Sequence, residues 1–114
     1  MATLTVQTVN RSGITPSLTA ASSGGDEFAN DGGVWLEIWN DHATDSRTVT
    51  IAVQRTVDGQ AVTSRTVTVT AANDRGSAGP WPVGDYNDAN SKVQITYSDS
   101  GADIRVGVFD LTST

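Results

Sequence analysis

Val34-Trp35-Leu36-Glu37-Ile38-Trp39-Asn40 decides the fold class. It is the most apolar run in the chain, and it alternates. Successive residues of a strand point to opposite faces of a sheet. Val34, Leu36 and Ile38 therefore share one face, and Trp35, Glu37 and Trp39 share the other. The aliphatic face belongs in a core. The other carries two tryptophans astride a carboxylate. Such a face packs under a second layer, or it is offered to a partner. At the rise of an extended strand, the two indoles stand about 13 Å apart.

The same period of two recurs outward from this run. Downstream, Arg47 to Arg55 alternates Val49, Ile51 and Val53 against Thr48, Thr50, Ala52 and Gln54. Asp58-Gly59 lies between two short β-prone pieces and predicts a hairpin turn. Arg65 to Thr70 is a further strand, and Ala71 to Gly79 reads as a polar loop. Pro80-Trp81-Pro82 cannot enter a central strand, because proline has no N–H to donate. Asp85 to Asn90 reads as a turn, with room for one helical turn. Lys92 to Ser98 and Ala102 to Leu111 alternate again, joined by the turn signal Asp99-Ser100-Gly101. Upstream, Asp26 to Gly33 reads as an acidic loop, and Thr3 to Val9 as a strand. Ile14 to Ala20 contains Pro16, which demotes it to an edge strand or an extended arm.

The expectation is all-β: a single antiparallel β-sandwich, jelly-roll or Ig-like, of about seven to eight strands. Residues 1–25 form an N-terminal strand and an extended arm with a Ser/Gly hinge, Ala21 to Gly25. Residues 26–114 form the sandwich. A chain of 114 residues suits one domain.

Composition narrows the partners. The formal net charge is −6, and the 7 basic residues are spread along the chain. Nucleic-acid binding needs clustered Lys and Arg, so it is not expected. There are no cysteines, hence no disulfide framework and no thiolate chemistry. The first residues lack the basic-then-apolar pattern of a secretion signal. No run approaches the roughly 20 apolar residues of a membrane helix, so no membrane partner is expected.

Catalytic material is sparse. His42 is the sole histidine and sits between Asp41 and Ala43 in a polar turn. A hydrolytic triad needs a nucleophile, a base and an orienting carboxylate together. Gly76-Ser77-Ala78-Gly79 has the wrong spacing for a nucleophile elbow. No His/Cys cluster suggests zinc or copper. Asp85, Asn87 and Asp88 imitate part of a calcium loop, but the central Gly and distal Glu are missing. The chain reads as a non-enzyme without metal or cofactor.

The aromatic residues carry more. Trp35 and Trp39 serve a core, a protein interface, where Trp is enriched, or a sugar-stacking platform. Trp81, held between two prolines, suits a lid over one end of the sandwich or a rigidly presented contact. Tyr86 lies in a turn suited to capping the same end. The interface candidates are Trp35, Glu37, Trp39, Trp81 and Tyr86.

Three stretches, taken in order, carry a resemblance. Phe28-Ala29-Asn30-Asp31-Gly32 leads into the strand ending at Asn40. Gly79-Pro80-Trp81-Pro82 runs on to Tyr86-Asn87-Asp88-Ala89-Asn90. Lys92-Val93-Gln94-Ile95-Thr96-Tyr97-Ser98 then precedes a final Val-rich strand. In this the chain, from about Asp26 onward, resembles small virion proteins of tailed bacteriophages. Similar proteins act as head decoration, or capsid cement, proteins with β-sandwich or jelly-roll folds. The resemblance implies the major capsid protein as partner and a homo-oligomer, with a trimer favoured. It implies a place on the outer capsid surface after assembly in the host cytoplasm. A neck or tail adaptor of the virion and a carbohydrate-binding module are the competing readings. Trp39 and the loop Ala71–Gly79 are particular to this chain.

Overall fold

The chain is described by a computed structural model over residues 2–70, 74–98 and 101–111, with side chains in the last segment from Asp103 onward. The strands are β1 (Ala2–Leu4), β2 (Val6–Val9), β3 (Thr19–Ala21), β4 (Asp26–Ala29), β5 (Trp35–Asn40) and β6 (Arg47–Ile51). They continue with β7 (Thr56–Val57), β8 (Gln60–Ala61), β9 (Arg65–Val69), β10 (Asp74–Ala78), β11 (Lys92–Tyr97) and β12 (Gly101–Leu111). One helical turn, α1 (Val83–Tyr86), precedes β11.

Two sheets stack. Sheet A has the order β1-β4-β11-β6-β9, and sheet B the order β10-β5-β12-β2, with β3 also pairing β12. From β3 onward the chain changes sheet at every link except β6 to β9. Without β1 and β2, every neighbouring pair is antiparallel. Two four-stranded layers joined this way make a jelly roll. The β6–β9 hairpin extends into a short ribbon, β7–β8. Its tip, Asp58-Gly59, has φ of 53° and 75°, the doubly positive turn that suits a tight hairpin.

Alternation builds the core. Leu36, Ile38, Ile104, Val106 and Val108 point inward from sheet B. Phe28, Val49, Ile51, Val93 and Ile95 meet them from sheet A, and all ten are at most 1 % exposed. Burying each such side chain contributes roughly 1.5–3 kcal/mol. The similar stretches Arg47-Thr-Val-Thr and Arg65-Thr-Val-Thr lie side by side in one hairpin, where Thr48 pairs Thr68 and Thr50 pairs Thr66.

Several expectations need correction. Within residues 2–25, the strand expected at Thr3 to Val9 is β1 and β2, and the edge strand or arm expected at Ile14 to Ala20 is the link that leads into β3. β1 runs parallel to β4, β2 runs parallel to β12, and β3 pairs antiparallel with β12. Residues 2–9 therefore join the two sheets along one flank, since Leu4 is buried and Val6 packs on the core. The sandwich body is antiparallel as expected, and these first strands add two parallel pairs. The acidic loop at Asp26 is a strand, β4, with Asp26 and Phe28 turned inward. Most of the loop expected at Ala71–Gly79 is the edge strand β10, while residues 71–73 lie outside the described residues. The turn signal at Asp99-Ser100 also lies outside them.

Asp26 explains how a charge sits inside. It is 0 % exposed. Its carboxylate accepts from Ala2 N (3.0 Å), Ser22 N (3.3 Å) and Tyr97 Oη (2.5 Å). One side chain thus ties the first strand, the turn before β4 and the end of β11. Burial alone raises its pKa, but hydrogen bonds from Tyr97, Ser22 and Ala2 outweigh that and hold it below 3.8. Burial and the adjacent carboxylate push the Tyr97 phenol well above 10.0.

The signs are opposite. Asp26 stabilises the fold above its ordinary pKa, and that contribution is lost as pH falls through the lowered value. Tyr97 stabilises it below pH 10, and that contribution is lost as pH rises toward the raised value. Denaturant titrations across pH should therefore show a plateau between about pH 4 and 10 from this pair. Asp26→Asn should cost roughly 2–3 kcal/mol at neutral pH and flatten the acid limb. An unchanged acid limb in that variant would remove Asp26 from this role.

Candidate interaction surface

The outward face of sheet B is set by β5 and its neighbours. Register places Arg75 of β10 and Arg105 of β12 on either side of Trp39. It places Ser77 and Gly107 beside Glu37, and Phe109 beside Trp35. Cross-strand neighbours point the same way, so these residues form three outward rows.

In the first row, the Arg75 guanidinium carbon lies 4.7 Å from the Trp39 ring centroid and that of Arg105 lies 5.7 Å away. Both distances suit cation–π contact. Trp39 and Arg105 are half-buried, and Arg75 is exposed. The exposed acids Asp41 and Asp103 lie just beyond this row, joined through Asp41 N to Asp103 O at 2.7 Å. In the second row, Glu37 Oε1 accepts from Trp35 Nε1 (2.9 Å) and Ser77 Oγ (2.8 Å). In the third, Trp35 stacks on Phe109 with centroids 5.9 Å apart and planes 28° off parallel.

Part of the face is covered. The link from β2 to β3 crosses it as a strap. Gln7 holds the strap through Nε2 to Ser17 O and Ser17 N to Oε1, both 2.8 Å. A Cβ on Gly107 would stand 2.8 Å from Ser17 O and 2.6 Å from Leu18 Cδ2, so only glycine lets the strap lie this close. Phe109, stacked on Trp35, is 3 % exposed, whereas in the Trp39 row Arg75 is exposed and Trp39 and Arg105 are half-buried.

Two expected contact residues sit elsewhere. Trp81 and Tyr86 are 3 % and 8 % exposed and belong to the core. Their rings meet edge to face at 5.2 Å, closing one end of the sandwich as a lid. Asn30 Nδ2 donates to Trp81 O at 2.8 Å, and Tyr86 Oη accepts from Arg65 Nε at 3.1 Å. Neither ring can touch a partner without opening that end.

The calcium candidates point to different tasks. Asp85 faces Arg55 at 3.4 Å. Asn87 exchanges hydrogen bonds with Asn30, at 2.7 and 2.8 Å. Asp88 accepts from Lys92 N, Gln94 Nε2 and Asn90 N, which hold its pKa down. No group of three or more His, Cys, Asp or Glu close enough for a metal occurs among the described residues. His42 Nδ1 accepts from Thr44 N (3.1 Å) and Asp45 N (2.9 Å), so the ring shapes its own turn. A groove of about 620 Å³ beneath the β7–β8 ribbon is lined by Val53, Val57, Arg65, Asp85 and Tyr86, without His42.

Compared with protein-family models, curated proteins and solved structures, the chain matches none.

Gly107→Ala should destabilise the fold by roughly 1–3 kcal/mol in urea titration, because the added methyl meets backbone. Acrylamide should quench Trp35 and Trp39 but spare Trp81. Trp81→Phe should therefore remove the protected fraction, and retention of that fraction would contradict the lid.

Proposed function

We propose that this protein is a structural component of a tailed-phage virion, a head decoration protein that binds the outer surface of the mature capsid. The outward Arg75–Trp39–Arg105 row carries the reading. Trp and Arg are the residues most enriched where protein contacts are strongest. Here both types are held in one register on a sheet face. The polar groups with chemical potential, His42, Asp26 and Asp88, are engaged in shaping the chain itself.

The jelly roll supports the same reading, because this architecture recurs in viral capsid domains. So does the sequence resemblance. A capsid-binding protein needs to fold alone and to present one surface to an assembled shell. If it binds the expanded shell and not its precursor, mass action stabilises the expanded state. Many symmetric copies multiply the effect. Homo-oligomers, with trimers favoured, fit this role, and so does assembly in the host cytoplasm. Sugar stacking is less favoured, since Trp39 shares its ring with two guanidiniums and Trp35 stacks on Phe109.

The test adds purified protein to undecorated expanded heads. Saturable binding and a higher temperature of capsid disruption are expected. No saturable binding, or a few copies at a single vertex by cryo-EM, would overturn the head assignment; the second outcome would mark a neck or tail adaptor.

A further inference from the structure

Residues 2–9 lie against the body of the sandwich at its margin. β1 ends sheet A and β2 ends sheet B, so lifting them off breaks no pair between other strands among the described residues. Their pairings, with β4 and β12, are the parallel ones. The seat they occupy is nonetheless specific. Leu4 is buried, Val6 packs on the core, Ala2 N reaches the buried Asp26 carboxylate, and Gln7 holds Ser17. A groove of about 460 Å³ runs between the segment and the body, lined by Leu4, Gln7, Thr19, Asp26 and Val106. An emptied seat would leave Asp26 short of a donor and uncover two strand edges, and uncovered edges recruit another strand.

The link to β3 carries slack. Val9 faces Leu111 and Thr19 faces Val106, so the chain retraces five residues of β12, about 17 Å at strand rise. The ten residues from Val9 to Thr19 reach about 33–36 Å when extended. Asn10 to Pro16 is exposed except for a half-buried Ile14. Its turn closes locally, from Gly13 N to Asn10 O and from Ser12 N to Asn10 Oδ1, both 3.0 Å. Gly13 stands at φ 87° with open space where a side chain would go. Straightened, this link outspans the 20 Å thickness of the molecule.

We propose that residues 2–9 exchange between copies of this chain, each segment seating on β4 and β12 of a neighbour. The seat itself selects the occupant. It already holds this sequence, and the same segment from a second copy makes every contact that the chain's own segment makes. Residues 2–10 carry no charge, so the seated segment is indifferent to the net charge of −6. Exchange of an identical element is a low-cost route to oligomers, and head-to-tail exchange closes rings. The proposal concerns how copies join one another and does not depend on the capsid reading.

The test exploits the absence of native cysteine. Thr3 pairs Glu27 across the seat, and neighbouring strands stand about 4.8 Å apart, within the span of a disulfide. Thr3→Cys chains and Glu27→Cys chains are unfolded together, refolded at high concentration and oxidised. Mixed disulfides should exceed same-variant ones about tenfold or more, since only a seated pair is in bridging range. Equal amounts, as chance collisions give, would overturn the proposal. Thr8→Cys with Asp110→Cys, on the β2–β12 pairing, repeats the test without touching Glu27. In the double variant carrying Thr3→Cys and Glu27→Cys, oxidation while dilute should lock each segment on its own sandwich. Light scattering should then show concentration-dependent association of the refolded wild type and of the reduced variant, and its loss on locking. Association that survives locking, or a refolded wild type that stays monomeric at every concentration, would also overturn the proposal.

Discussion

Side-chain alternation across two stacked sheets is the constraint that every other feature answers to. A strand slipped by one residue exchanges its two faces entirely. For β5 such a slip would bury Trp35, Glu37 and Trp39 and expose Leu36, Ile38 and Asn40. The register with β10 and β12 prevents it, because both neighbours present their own alternation in phase. The outward tryptophans are thus a consequence of the inward aliphatics. The jelly-roll path strengthens the constraint, since nearly every link of the sandwich body crosses between sheets.

Inside that frame, a few buried polar side chains decide where strands stop. Asn40 is 0 % exposed and spreads its Nδ2 donors over Asp45 O, Val69 O and Thr70 O, at 2.9, 3.0 and 3.3 Å. Its Oδ1 accepts from His42 N at 3.1 Å. It ends β5, anchors the following turn and holds the end of β9. Asn30 does the same at the opposite end, through Trp81 O and Asn87. Asp26 ties the first strand to β11. Each is satisfied, and a satisfied buried polar group fixes one arrangement where an apolar one tolerates several. Of the three, only Asp26 titrates, and it does so where the first strand joins β4.

The strongly alternating strands were legible in the sequence because they are β-branched and polar by turns. β4 was not, because an inward aspartate imitates a loop residue until its three donors are known. β10 was not, because Asp-Arg-Gly-Ser-Ala carries little β propensity and is held by pairing with β5 instead. In the first 25 residues the strand at Thr3 to Val9 was legible, but the parallel pairing of its two halves with different sheets was not. Pro16 marks the strap, and the strands on either side of it are short. On the surface, Trp35, Glu37 and Trp39 were readable from period two alone. Arg75 and Arg105 were not, since their place beside Trp39 depends on non-local register. Trp81 and Tyr86 were read both as a cap over one end of the sandwich and as contact residues, and their burial against each other matches the cap.

A face of this size suits a repeated contact better than a solitary one. One row of three side chains beside a short edge strand offers little area, and small interfaces bind weakly on their own. Multivalency changes that arithmetic, because linked or lattice-held copies convert later contacts into local ones at high effective concentration. On the reading proposed above, the capsid supplies such a lattice. Weak single contacts also favour discrimination between shell states. On that same reading, a modest difference between shell states is multiplied by every copy that binds.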